Sequence, residues 1–202
     1  MGTVKPGWEG RYFEDFKVGD VYRCRYGRTV TENDNIWFTL LTCNTNQIHF
    51  NSEYGARTEW GKPLINSALT LAIVAGMGVM DVSENGFAMG WDEIKLPNPL
   101  FAGDTIYSES EVLEARASRS RPEQGLVKVR TRGYNQHGDV VIDYSRTVMV
   151  WKRAHAPSLD LFPTPRPADA GAAGGTASKA KPARMTKTTK SATARAVRPA
   201  RR

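Results

Sequence analysis

Cysteine is scarce in this chain. Cys24 and Cys43 are the only two and form no CxxC spacing, which excludes a disulfide scaffold or a cysteine-rich zinc module. With no stretch resembling a signal peptide, both are expected as buried free thiols in a reducing, cytoplasmic setting. Histidine is nearly as rare, with His49, His137 and His155, and no metal site is expected. A long apolar run is also missing: the most apolar charge-free stretch, 64 to 80, is interrupted by Asn66, Ser67 and Thr70, too polar at its start for a membrane span. A soluble protein without a membrane partner is expected.

Excess positive charge is absent from most of the chain, although the whole carries +7. Residues 154–202 hold ten Lys and Arg against Asp160 and Asp169, so residues 1–153 sum to −1. The folded part therefore lacks the electrostatic footprint of a nucleic-acid-binding domain. Aromatic residues are missing after Phe162, and the Ala, Pro, Lys, Thr and Gly that follow cannot bury enough apolar surface to offset the entropy of ordering them. Residues 154–202 are expected to be a disordered extension that solubilises the chain, its basic residues offering at most weak binding to a polyanion.

What is present is one domain's worth of core, with 40% hydrophobic residues and no internal repeat. Residues 19–30 mix β-branched and aromatic residues with Arg and predict a strand. Thr31 and Asp34 then form a capping-box pattern opening a helix over 32–41, where Ile36, Leu40 and Leu41 stand at helical spacing. Residues 42–47 are a polar loop, and a short helix follows Asn51. From Pro63, residues 64–80 are apolar on every side past Ser67, which predicts a central helix enclosed by other elements. Period-two alternation, clearest where Val127, Val129 and Thr131 interleave with Lys128, Arg130 and Arg132, predicts strands at 86–99, 104–116, 125–135 and 140–152. Short connections make the sheet antiparallel, and wrapping it around the helix buries the apolar face of both, an α+β arrangement. The open sheet edges lead to the expectation of a homodimer or larger homo-oligomer.

The segment Asn44-Thr45-Asn46-Gln47-Ile48-His49, followed by Lys62-Pro63-Leu64-Ile65-Asn66-Ser67, resembles the hydratase motif of the MaoC-like dehydratase family. That motif reads Asp, any residue, Asn, Pro, any residue, His, with a Pro-led helix entry shortly after. The resemblance spans roughly residues 10–153, and the stretches GRTVTE, FAGDT and SRSRP are similar to the branch containing itaconyl-CoA and mesaconyl-CoA hydratases. It implies a single hot-dog domain at 1–153 that adds water reversibly to the double bond of an enoyl-CoA thioester, with a carboxylated C5 acyl group such as mesaconyl- or itaconyl-CoA fitting that branch. Coenzyme A is then part of the substrate and no separate cofactor is implied. In the family the Asp and His hold the water, and a backbone amide at the helix entry receives the thioester oxygen. His49 matches the His, Asn46 the Asn, and Ser67 the usual glycine at the helix start. Asn44 replaces the Asp and Gln47 the Pro.

The chemistry bears on each candidate. Enoyl hydration needs a positioned water, an acceptor for its proton, and donors for charge developing on the thioester oxygen, which a helix N-terminus supplies. Asn44 can orient water but cannot exchange a proton near neutrality, so proton transfer rests on His49 or a carboxylate such as Glu32, Asp34 or Glu53. A lone His beside Phe50 is more often a packed side chain, and Asn44 and Asn46 read equally as a loop bonding its own backbone. The Ser67 side chain would serve as a cap if it is not at the thioester. Asn66, beside it, is a further candidate for substrate contact. Arg119 and Arg121 suit the phosphates of coenzyme A, and equally a solvated hairpin end. Arg28 and Arg57 are the cations offered to a second carboxylate on the acyl group. Two other classes fit the same fold. Thioester hydrolysis would need a carboxylate on the central helix, which 64–80 lacks, and a catalytically silent acyl-CoA-binding domain would fit Asn44 and Gln47.

Overall fold

The computed structural model describes residues 3–5 and 7–164; most of the expected basic extension lies outside the described residues. The strand read at 19–30 is two short ones, β1 (Val21–Arg23) and β2 (Arg28–Thr29), separated by a bend and both antiparallel to β4 (Thr105–Ala117). Helix α1 (Glu32–Leu41) opens with the capping box the sequence shows: Thr31 Oγ1 accepts the Asp34 N–H at 3.2 Å, and Asp34 Oδ2 accepts the Thr31 N–H at 2.8 Å. A 3-10 turn, Gln47–His49, leads to α2 (Ser52–Gly55), capped by Asn51. Strands β3 (Gly86–Lys95), β5 (Gln124–Tyr134) and β6 (Val140–Trp151) complete a wholly antiparallel sheet in the order β1-β4-β5-β6-β3. Turn 135–139 closes the β5–β6 hairpin, with Gly138 at φ 87°, a conformation that side-chain-bearing residues rarely adopt.

Helix α3 spans Ser67–Met77 and continues as a π-helical turn over Val79–Ser83. It starts three residues later than the apolar run because Leu64 and Ile65 are extended: Leu64 bridges Phe101, and the Ile65 N–H donates to Leu100 O at 2.9 Å. The sheet curls around α3, as the resemblance implies. Val74, Leu69 and Met77 pack on Ile106, Ile142 and Tyr144, and Gly133 lets the helix close onto β5. A second apolar cluster, Phe16, Val82, Val112, Val127, Val129, Val148 and Val150, fills the far end of the sheet. Burying a Val or Leu fully contributes roughly 1.5–3 kcal/mol, so these clusters set the fold.

Two expectations are corrected. The helix is not enclosed on every side, since Ala68, Ala72 and Gly76 are exposed and leave one flank open in the single chain. Nor are both thiols buried: Cys43 is exposed, at φ 54° just past the end of α1, and Cys24 is half-buried. The polar loop after α1 turns outward there, which apolarity around Cys43 could not reveal. Among the described residues no helix is long and apolar enough to cross a membrane. All the named elements lie in one compact unit that ends at Asp160.

Candidate active site

The polar loop after α1 is built by its own side chains. Asn44 Oδ1 accepts the Asn46 N–H at 2.9 Å and Asn46 Oδ1 accepts the Ile48 N–H at 3.2 Å, capping the 3-10 turn. Gln47 occupies the first position of that turn, where Pro is favoured for its fixed φ, and its Oε1 instead accepts from Asn51 Nδ2 at 2.6 Å. Asn44 and Asn46 thus spend their acceptors locally, the behaviour of short amides in turns. Among the described residues no acceptor engages Asn44 Nδ2, whose donors suit a water or ligand.

His49 closes the turn and is 9% exposed. Its Nδ1 lies 2.9 Å from Leu64 O; a carbonyl only accepts, so Nδ1 carries the proton and Nε2 is the basic nitrogen. No partner among the described residues hydrogen-bonds Nε2. Leu64 in turn donates its N–H to Ile48 O, so the segment before α3 is stitched to the His49 turn by backbone and by ring.

Asn35, on the buried face of α1 and 2% exposed, ties the two together. Its Nδ2 donates to His49 O at 2.7 Å and to Leu64 O at 3.0 Å, while Oδ1 accepts the Asn66 N–H at 2.9 Å. The sequence reading passed over Asn35, which sits in a polar run, Glu32-Asn33-Asp34-Asn35, resembling an exposed helix start.

Asn66, offered as a substrate contact, is 3% exposed and caps α3: its Oδ1 accepts the Ala68 N–H at 2.9 Å and its Nδ2 reaches Thr39 Oγ1 at 3.4 Å. The Ser67 hydroxyl is therefore not the cap. Ser67 is exposed, and no acceptor among the described residues engages its N–H. It borders a cavity of about 200 Å³ walled by Trp60, Leu64, Thr70, Pro97, Leu100 and Val141. An open amide at a helix N-terminus beside an apolar slot is suited to an oxygen that gains negative charge.

The carboxylate candidates are not poised for proton transfer. Asp34 is hydrogen-bonded by Arg28 at 2.7 Å, which together with the capping bonds holds its pKa down to about 2. Glu32 and Glu53 are exposed. Arg28 is thereby engaged, whereas Arg57 is exposed beyond α2 and in no ion pair among the described residues. Arg119 and Arg121 lie in the β4–β5 hairpin, past the end of the 13-residue β4; the cavity wall at Pro97 and Leu100 precedes its start. One chain therefore does not bring them to Ser67; Arg121 instead lies over the Phe87 ring, 5.7 Å from its centroid. Among the described residues no group of three His, Cys, Asp or Glu stands together as a metal site.

Known proteins share this architecture. A solved MaoC-domain dehydratase from Chloroflexus aurantiacus superposes with a TM-score of 0.70 at 29% identity, covering 81% of this chain and 47% of that one. A Mycobacterium tuberculosis protein described as a double hot-dog superposes at 0.66 with 22% identity, over 77% of this chain and 47% of its own, which establishes the hot-dog fold. Mesaconyl-CoA hydratase from Cereibacter sphaeroides is 32% identical over 145 residues, 71% of this chain. The chain spans 42% of that relative's length. A family model for mesaconyl-CoA hydratase matches residues 4–180, and on that match this chain belongs to the mesaconyl-CoA hydratase family.

Proposed function

We propose that this protein reversibly hydrates the double bond of an enoyl-CoA thioester, with a carboxylated C5 acyl group such as mesaconyl as its substrate class. The observation that carries the reading is Asn35, which bonds the backbone of His49, Leu64 and Asn66 and so ties His49, protonated on Nδ1 and basic on Nε2, to the helix start where the open Ser67 amide borders a cavity.

In the forward direction His49 Nε2 takes a proton from water as the water oxygen bonds to Cβ. The electron pair of the C=C bond moves toward the thioester, and the resulting enolate oxygen is held by the Ser67 N–H. The proton held on Nε2 then passes to Cα, which regenerates neutral His49 and completes the addition of H and OH. Asn44, with its oxygen committed to Asn46, contributes by donating from Nδ2 to the water oxygen. Arg57 is the cation available to a second carboxylate on the acyl group.

The open flank of α3 and the unpaired outer edge of β3 support a second copy of the chain as partner, as does a fold match in which one chain of this size covers 47% of a double hot-dog. An antiparallel, two-fold arrangement about β3 would carry the partner's β4–β5 hairpin toward this cavity, so Arg119 and Arg121 would meet coenzyme A phosphates across the interface. A catalytically silent acyl-CoA-binding domain is the competing reading, favoured by the commitment of the Asn44 oxygen to its own turn. Loss of the enoyl thioester absorbance with appearance of the hydrated product by mass decides between them; binding of the thioester without product would favour the silent domain.

A further inference from the structure

A buried polar side chain bridges the segments that carry the proposed site, and it is neither of the reacting groups. Asn35 projects from α1, is 2% exposed, and engages both its Nδ2 hydrogens and its Oδ1 on three backbone groups from two other segments. One Nδ2 hydrogen goes to His49 O and the other to Leu64 O, the same carbonyl that accepts the His49 Nδ1–H. Its Oδ1 holds the N–H of Asn66, the residue that caps α3. A buried amide whose nitrogen and oxygen are both engaged is stable where it stands, and a missing bond costs the desolvation of the group left behind.

We infer that Asn35 is a positioning residue for the hydration proposed above, fixing in one side chain both the His49 imidazole and the amide end of α3. The inference rests on that functional reading for its catalytic meaning, while the clamp itself is a property of the fold. Leu64 O is the shared element. Held by Asn35 Nδ2, it stays in line with Nδ1 and keeps His49 in the tautomer whose Nε2 is basic. Held at Asn66 N, the start of α3 stays in register with the His49 turn, so the distance between base and amide is set by one residue. Charged groups on the surrounding elements do not duplicate this role: Asp34 is engaged by Arg28, Lys62 lies over the Phe101 ring, and Glu32, Glu53, Arg57 and Glu59 are exposed.

The test uses the full chain with ¹⁵N-labelled histidine, alone and as Asn35→Asp and Asn35→Ala, with near-ultraviolet circular dichroism to establish folding. Asn35→Asp retains an acceptor for Asn66 N but sets a carboxylate no more than about 6 Å from Nδ1. The imidazole titration and the acid limb of kcat/KM are both expected to move up by about one pH unit. Asn35→Ala is expected to mix the two tautomers and lower kcat at least about tenfold with KM within about twofold, since base and amide act in the transition state. Folded variants that titrate and turn over like the unsubstituted chain would overturn the inference, as would a shifted titration with unchanged kcat. If Asn35→Asp fails to fold, Asn35→Ser, too short to reach both carbonyls, is read the same way as Asn35→Ala. If the unsubstituted chain hydrates no enoyl thioester, the proposed function falls, and the ¹⁵N spectra alone decide whether Asn35 holds the imidazole.

Discussion

Substituting Asn66 by Asp and by Ala separates the stability of α3 from the chemistry proposed at its start. The cap survives, because a carboxylate oxygen accepts the Ala68 N–H as the amide oxygen does at 2.9 Å, and Asp and Asn are equivalent N-caps. The donor to Thr39 Oγ1 is lost, but at 3.4 Å that bond is weak. Burying the new charge at a position 3% exposed works against the retained cap, so Asn66→Asp should cost about 1–3 kcal/mol, comparable to the about 1–2 kcal/mol of Asn66→Ala, which leaves the cap unmade. Activity should distinguish the two. An enolate oxygen accepting from Ser67 N would sit about 5 Å from the new carboxylate, and two like charges at that distance repel by roughly 3 kcal/mol at an effective dielectric of 20. Asn66→Asp is thus expected to lower kcat on the order of a hundredfold, far more than Asn66→Ala of comparable stability. Urea unfolding beside steady-state kinetics on mesaconyl-CoA measures both. An Asn66→Asp protein with unaltered kcat would refute the placement of the thioester oxygen at Ser67.

Gly133→Ala should destabilise the fold by about 1–3 kcal/mol, because its Cβ would stand 2.7 Å from Val74 Cγ2 and 2.8 Å from Ile142 Cγ2 in a full core; thermal unfolding measures this. Thr31→Ala should cost about 1 kcal/mol in urea by removing one half of the α1 capping box. The Arg28 hydrogen bond depresses the folded pKa of Asp34 to about 2 from 3.8, so its contribution is full above pH 4 and is lost as pH falls toward 2. Asp34→Asn should therefore flatten the acid side of the stability profile in that window, followed by circular dichroism. A chain ending at residue 180, where the family match stops, loses eight Lys and Arg. It should keep its hydration rate and lose salt-dependent retention on an immobilised polyanion, read by chromatography at increasing salt.

Much of this fold is legible in the sequence because its signals are local. Alternation at 125–132 depends only on period two, and Thr31 with Asp34 forms a cap between near neighbours. The start of α3 was displaced because Leu64 and Ile65, apolar enough for a helix, are held extended by residues 100 and 101, a tertiary contact that propensity does not encode. At the site, His49 stood out through its motif. Asn35 did not, since its partners are 14 and 29 to 31 positions away and its neighbours read as a solvated helix start. The separation of Arg119 and Arg121 from Ser67 within one chain could have been read from connectivity alone, because a full strand lies between residues 100 and 119. What a second copy would bring to the cavity is a matter of assembly, and no local pattern records it.

The most direct test follows the enoyl thioester absorbance when the full chain meets crotonyl-CoA, mesaconyl-CoA and itaconyl-CoA, each beside His49→Ala, with products identified by mass. Water addition to at least one thioester is expected, with preference for a carboxylated acyl group, together with loss of turnover in a folded His49→Ala chain. Absence of hydrated product from all three, or full turnover by His49→Ala, would contradict the proposed function.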